Sequence, residues 1–320
     1  MKIVHGISDF RAPSPVVAIG NFDGLHLGHQ AILSKTVASA RERGGTSITL
    51  TFDPHPVQFF HPEQTLKRLS IQDEKFQQIA ALGMDILYVI PFDLKFASQT
   101  PEQFVREYLH KKISVCELVV GSDFAFGGNR AGGAQFLIQI GSTLGFDVWI
   151  QPVVSVKGIP VRSSAIRAFI AQGEMRQVEQ MLGRYYSVAG EVFPGHQRGR
   201  QLGYPTANLS LPDVLIPADG IYAASITIDG EAPERGHGGV VYIGTQPTFH
   251  QTGPCFEVHL FDWDPNQDLY GKYLRVHIIE RIRGDEVFPD LDTLIHQIGC
   301  DLVAAKGILK GASKNLPVPS

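Results

Sequence analysis

Gly20-Asn21-Phe22-Asp23-Gly24-Leu25-His26-Leu27-Gly28-His29 decides the fold of the first half of this chain. An apolar run, 16–20, leads into the stretch and a helical pattern, 30–43, leads out of it. Glycines at a strand-to-helix turn let backbone approach a ligand closely. The free N–H groups and positive end of the following helix favour a phosphate. His26 and His29 are three residues apart, so on a helical turn both imidazoles face the same way. Gly28 between them leaves room for a phosphate or an adenine ring. Two imidazole donors there suit negative charge gathering on a triphosphate during attack at the α-phosphorus. As a metal pair the histidines are poor, because Asp23 is near but no third ligand has diagnostic spacing.

Outward from this turn, further apolar runs stand at 48–52, 86–90, 118–121 and 148–150. Each is apolar at successive positions, the pattern of a parallel strand buried on both faces. Helical patterns separate them. Thr100-Pro101-Glu102-Gln103 is a helix start, with Thr as N-cap and Gln three residues on. Ser70 followed by Asp73 and Glu74 opens another, since acidic side chains suit the positive helix end. This alternation predicts an open α/β sheet with its ligand beyond the carboxyl ends of the strands. GxGxxG and GxxxxGK[ST] are both missing from the sequence, which disfavours a dinucleotide fingerprint and a P-loop.

From about Tyr186 short alternating segments appear instead, at 187–193, 222–228, 240–244, 256–261 and 273–280. Turns rich in Gly, Pro and Asp divide them, which predicts a small antiparallel barrel or sandwich. An amphipathic helix over 291–309 closes this half, and the chain from about Gly311 is expected to fray. The length of 320 residues suits one large or two ordinary domains, and the change of pattern argues for two. With 43% hydrophobic and 19% charged residues the chain has the composition of a soluble globular protein. A net charge of −4 gives no sign of a nucleic-acid partner. Cys116, Cys255 and Cys300 are odd in number and far apart, so no disulfide framework or metal pair follows and a reducing cytoplasm is expected. Met1 to Phe10 lacks the continuous apolar stretch of a signal peptide, and no apolar run reaches membrane-spanning length.

The second half carries its own chemistry in Gly199-Arg200-Gln201-Leu202-Gly203-Tyr204-Pro205-Thr206-Ala207-Asn208. The loop 195–203, with His196, Arg198 and Arg200, suits a polyphosphate held by backbone N–H groups and guanidinium donors. Thr206 and Asn208 are two apart, so in extended chain their side chains face one way. Their hydroxyl and amide oxygens are hard ligands that suit Mg²⁺; equally, such residues cap turns. Glu257 lies on an alternating strand, where the pattern by itself favours a solvated side chain.

The first stretch resembles the HxGH signature of the nucleotidyltransferase superfamily. GxFDGxHxGH as a whole resembles the first module of bacterial bifunctional riboflavin kinase/FAD synthetases. Thr51-Phe52-Asp53-Pro54-His55-Pro56, Val120-Gly121-Ser122-Asp123-Phe124-Ala125-Phe126-Gly127 and Ser163-Ser164-Ala165-Ile166-Arg167 follow in that family's order. The stretch from Gly199 resembles the GxxxGxPTAN signature of riboflavin kinases. Gly220-Ile221-Tyr222-Ala223, Ile243-Gly244-Thr245-Gln246-Pro247-Thr248-Phe249, Glu257-Val258-His259-Leu260 and Leu269-Tyr270-Gly271 follow it. The resemblance covers nearly the whole chain.

It implies an α/β nucleotidyltransferase domain over 1–184, a six-stranded β-barrel kinase domain over 185–310 and a flexible tail over 311–320. It implies that ATP phosphorylates riboflavin to FMN in the barrel, and that a second ATP gives its AMP to FMN, forming FAD and pyrophosphate. Both steps need Mg²⁺. By the resemblance His26 and His29 stabilise the transition state of adenylyl transfer. Gly20, Phe22, Asp23, Gly24, Gly28, Asp123, Ser163, Ser164 and Arg167 hold nucleotide in the first module, and Gly199, Arg200 and Gly203 do so in the second. Asp53, Phe124 and Tyr222 meet flavin, with Phe124 and Phe126 equally suited to core packing and 53–56 equally suited to a plain turn. Thr206 and Asn208 hold Mg²⁺, and Glu257 is the base for the riboflavin 5′-hydroxyl. His259 is expected to be structural, and 280–283 a charged strand end. The chain departs from the family at Pro160 and Arg162, where many members have Arg and Ser, and at Tyr242, where many have Asn. Two rivals follow: a kinase that has lost adenylyl transfer, and a flavin sensor without turnover.

Overall fold

The structure, a computed structural model, describes residues 1–6, 12–63, 66–127, 131–195, 199, 202–231, 235–244, 255–264 and 267–312. The chain divides into two compact units, Met1–Lys67 with Gln72–Arg162, and Arg68–Ile71 with Ser163–Ser320.

The first unit is built on six parallel strands: β1 (Lys2–His5), β2 (Val16–Ile19), β3 (Ser47–Asp53), β4 (Ile86–Pro91), β5 (Glu117–Gly121) and β6 (Asp147–Gln151). Their order across the sheet is β1-β4-β3-β2-β5-β6. The unbroken apolar runs are explained by two cores, one on each face. Val17, Ile19, Leu118 and Val120 enter one core, while Val16, Ala18 and Val119 enter the other. Helices α1 (Leu27–Glu42), α2 (Gln72–Ala81), α3 (Pro101–Phe104, continuing as a π-helix to Ile113) and α4 (Ala134–Leu144) cover these faces. The box expected at Thr100 is present: Gln103 N–H donates to Thr100 Oγ1 at 3.1 Å and Thr100 N–H to Gln103 Oε1 at 2.9 Å. α2 begins at Gln72, two residues after Ser70, with Asp73 and Glu74 in its first turn. The chain runs from β2 to β3 and β4 on one side, then crosses to β5 on the other. The strand order therefore reverses between β2 and β5, and the crevice at their carboxyl ends is where such sheets bind ligands.

The second unit is a closed antiparallel barrel. Its strands are β7 (Tyr186–Phe193), β8 (Ala207–Ser210), β9 (Gly220–Ile228), β10 (His237–Gly244), β11 (Cys255–Leu260) and β12 (Tyr273–Arg283), closing in the order β7-β8-β11-β10-β9-β12. Phe256, Val258, Val241, Ile243 and Val276 are buried at alternate positions of their strands. Helices α5 (Ser163–Gln172) and α6 (Met175–Leu182) pack together, and α6 lays Met175, Val178, Met181 and Leu182 inward beside β7 and β12. That packing groups both helices with the barrel, so the contact boundary falls at Arg162/Ser163, whereas the sequence pattern changes only near Tyr186. α7 (Leu291–Ala312) lies along β9, β10 and β12 and takes in Gly311 and Ala312, the first two residues of the expected tail; the rest of the tail lies outside the described residues. No helix among the described residues is long and apolar enough to cross a membrane.

Candidate active sites

The turn after β2 is closed by its own side chains. His26 is the N-cap of α1, and its Nδ1 accepts the His29 backbone N–H at 3.2 Å. The two imidazoles stack, with centroids 3.6 Å apart and planes 15° from parallel. A Cβ on Gly28 would lie 3.2 Å from the His26 ring, so glycine preserves this stack. Phe22, expected among the nucleotide contacts, is wholly buried, and its ring stands edge-on to His29 at 5.3 Å. Asp23 is buried in the same turn, and Gly24 has φ 74°.

His29 Nδ1 is buried and has no hydrogen-bond partner among the described residues. Burial, then the neighbouring His26 and Lys75, push the His29 pKa well below the ordinary histidine value. The ring is therefore neutral at neutral pH. An unpartnered buried ring nitrogen costs free energy unless a ligand meets it. Lys75, on α2, points its Nζ at Asn21 O at 3.3 Å and Thr51 Oγ1 at 3.4 Å. This cation beside the turn was not legible from the sequence, because nothing in the spacing links position 75 to position 21.

Across the crevice, Asp123 follows β5 and is exposed, with Arg162 Nε 3.8 Å from its Oδ2. Phe124 is partly buried, stacked on Phe126 at 5.4 Å, and joins an aromatic chain through Phe104, Phe96, Phe92 and Phe52. Asp53 ends β3 and its carbonyl accepts the Phe92 N–H at 3.0 Å. Gly20, Gly24, Gly28, His26 and His29 thus share one turn, with Asp123 and Phe124 at the neighbouring strand end. Ser163 and Ser164 open α5 and Arg167 follows within it, in the unit that contains the barrel.

In the barrel, Asn208, Glu257 and Tyr242 form one row across β8, β11 and β10. Direct cross-strand partners put their side chains on one face, here the face away from the buried Val258 and Val241. Thr206 Oγ1 donates to Glu257 Oε2 at 3.0 Å, and Cys255 Sγ to Glu257 Oε1 at 3.3 Å. Glu257 is thus half-buried and held at both oxygens rather than free in solvent. The ring Nδ1 of His259 meets Pro205 O at 2.8 Å, fixing the turn that delivers Thr206. A Cβ on Gly195 would come within 2.1 Å of Asn208 Nδ2, so this glycine makes room for the amide. Tyr204 N–H donates to Gly199 O at 2.8 Å, folding the loop back, and Gly203 has φ 87°. Arg200, His196, Arg198 and 245–249 lie outside the described residues.

Tyr222, expected at the flavin, is wholly buried; its hydroxyl donates to Ala218 O at 2.5 Å, and burial pushes its pKa up to about 12. It bears on the site as packing. Tyr242 Oη donates to Asp285 Oδ2 at 3.3 Å. The run 280–283 is occupied by internal pairs, Glu280 with Arg176 at 2.5 Å and Arg283 with Asp301 at 2.9 Å, as a charged strand end requires.

A family model described as FAD synthetase matches residues 11–165, and one described as riboflavin kinase matches 182–309. The bifunctional riboflavin kinase/FMN adenylyltransferase of Escherichia coli strain K12 is 35% identical over 309 residues, 96% of this chain and 97% of its own length. The enzyme of the same name from Bacillus subtilis strain 168 is 33% identical over 302 residues, 93% of each chain. A crystal structure from Streptococcus pneumoniae, described as a macrolide-efflux protein, is 28% identical with a TM-score of 0.86, covering 96% of this chain and 99% of that one. Its likeness carries the fold; the full-length likeness to the named enzymes carries the family.

Proposed function

The chain belongs to the bifunctional riboflavin kinase/FMN adenylyltransferase family, and we propose that each of its two units carries one of the two reactions. The protein phosphorylates riboflavin with ATP to give FMN, then transfers AMP from a second ATP to FMN, giving FAD and pyrophosphate. The observation that supports the division is that the turn with His26 and His29 lies in one unit and the Thr206, Asn208 and Glu257 cluster in the other.

In the barrel, Glu257 takes the proton of the riboflavin 5′-hydroxyl as its oxygen attacks the γ-phosphorus. Thr206 and Asn208 would hold Mg²⁺. The donor set fits: the Thr206 hydroxyl lies beside the Asn208–Glu257 pair, and it can offer a lone pair outward while its O–H stays pointed at the Glu257 carboxylate. Bound Mg²⁺ would neutralise phosphate charge. In the α/β unit, the turn after β2 receives the triphosphate at the start of α1. His29, neutral and with its Nδ1 unpartnered among the described residues, donates to the phosphate oxygens, while an FMN phosphate oxygen attacks the α-phosphorus and pyrophosphate leaves. Asp53 and the aromatic chain ending at Phe124 offer the flavin a wall beside the same strand ends. Free thiols at Cys116, Cys255 and Cys300 fit work in a reducing cytoplasm.

The test is a time course with riboflavin, ATP and Mg²⁺, resolving the flavins by chromatography. FMN is expected first and FAD after it. Unchanged riboflavin would favour a sensor, and FMN that never becomes FAD would favour a kinase alone.

A further inference from the structure

Glu257 is useful as a base only if its carboxylate is held toward the acceptor hydroxyl rather than swinging on two rotatable bonds. Among the described residues two side chains hold it, and they hold different oxygens: Thr206 at Oε2 and Cys255 at Oε1. Cys255 and Glu257 are two apart on β11, so they lie on one face of the strand. Two further neighbours are committed elsewhere. Tyr242, directly across from Glu257, gives its hydroxyl to Asp285, and His259 gives its ring to Pro205.

We propose that Cys255 is a positioning residue for the kinase reaction, its thiol fixing the carboxylate of Glu257 through Oε1 while Thr206 fixes Oε2. The proposal rests on the reading of Glu257 as the base. Thr206 has two tasks in that mechanism, the cation and the carboxylate, and Cys255 has one. Burial, then the charge and hydrogen bond of Glu257, push the thiol up to about 12, so it keeps its proton and remains a donor. A side chain without a donor at position 255 leaves Oε1 unpaired and the carboxylate free to turn.

The experiment uses the full chain and reads FMN formation (kcat and both KM values), with FAD formation from supplied FMN as a control on the same preparation. Cys255→Ala is expected to lower kcat for FMN roughly 3- to 10-fold, the size of one hydrogen bond from a weak thiol donor, with both KM values little changed. Cys255→Ser, which restores a donor, should recover most of that loss. In a Glu257→Gln background, Cys255→Ala should cost almost nothing more, because the two substitutions remove one coupled unit. Unchanged kcat in Cys255→Ala, equal damage in Cys255→Ser, or full additivity with Glu257→Gln would each overturn the proposal. Should Cys255→Ala lose its thermal transition, Cys255→Val, which keeps the bulk and lacks a donor, takes its place against Cys255→Ser and in the coupling with Glu257→Gln. Full FMN formation by Glu257→Gln would instead overturn the reading of the base, a different failure.

Discussion

His26 must leave Nδ1 without a proton, because that nitrogen caps the His29 amide, so a neutral His26 carries its hydrogen on Nε2. His29 is neutral for a different reason, burial beside His26 and Lys75. In the proposed reading the pair therefore meets a triphosphate as hydrogen-bond donors, and Lys75 and the end of α1 meet its charge. Replacing one such donor typically costs 10²–10³ in rate, so His29→Ala should lower FAD formation by about that factor. FMN formation by the same protein should stay near wild type; flavin chromatography reads both. A second histidine reports on stability. His277 Nε2 is buried without a partner among the described residues, and burial, then Arg275 and Arg184, lower its pKa to about 4 from 6.5. Above pH 6.5 the ring is neutral in both states. Between 6.5 and 4 the unfolded chain binds a proton that the folded chain refuses, so stability falls as pH falls, by roughly 3 kcal/mol at most. His277→Gln should remove that slope from thermal melts taken across this range. The histidine pair was legible from spacing because His26 and His29 sit on one helical turn. Lys75 was not, since only folding brings it to Asn21; Cys255 was within reach, since its spacing of two from Glu257 puts both on one face of a strand.

At the level of elements, α7 is tied to the barrel by a buried ion pair. Arg283 Nε reaches Asp301 Oδ1 at 3.0 Å and Nη2 reaches Oδ2 at 2.9 Å, and Gln297 adds a bond to Oδ1 at 2.9 Å. Asp301 is 4% exposed, so removing it takes the main counter-charge from a partly buried guanidinium that keeps only Gly284 O and, at 4.0 Å, Glu286 among the described residues. Asp301→Ala should therefore destabilise the barrel unit by about 3–5 kcal/mol, measured by urea unfolding. The paired change to two well-packed apolar residues should cost far less. The sequence pattern reveals the strands of the sheet interior because both faces are buried, and Val16 to Ile19 alternate between two cores. It is silent on β1, whose residues are mostly exposed at the sheet edge, and β8 is too short at four residues to show alternation. α6 also misleads: its helical pattern is plain, but the surface it packs against, β7 and β12, belongs to the later strands.

Across the whole molecule, two units of unlike architecture hold the two residue clusters proposed for the two phosphorus chemistries. The crevice at β2 and β5 follows from topology alone, since the strand order reverses there. The barrel's site follows instead from register, with Asn208, Glu257 and Tyr242 brought level on three strands. Sequence order gives no access to that register, which is why the Thr206–Glu257 contact appears only in the folded chain. If the two sites act independently, one defective chain can hand FMN to another. The most direct measurement mixes His29→Ala and Glu257→Ala proteins with riboflavin, ATP and Mg²⁺. Neither alone should make appreciable FAD, the first stopping at FMN and the second leaving riboflavin unchanged, while the mixture should accumulate FAD. Folded proteins that make no FAD when mixed, or a single substitution that abolishes both reactions, would contradict the account.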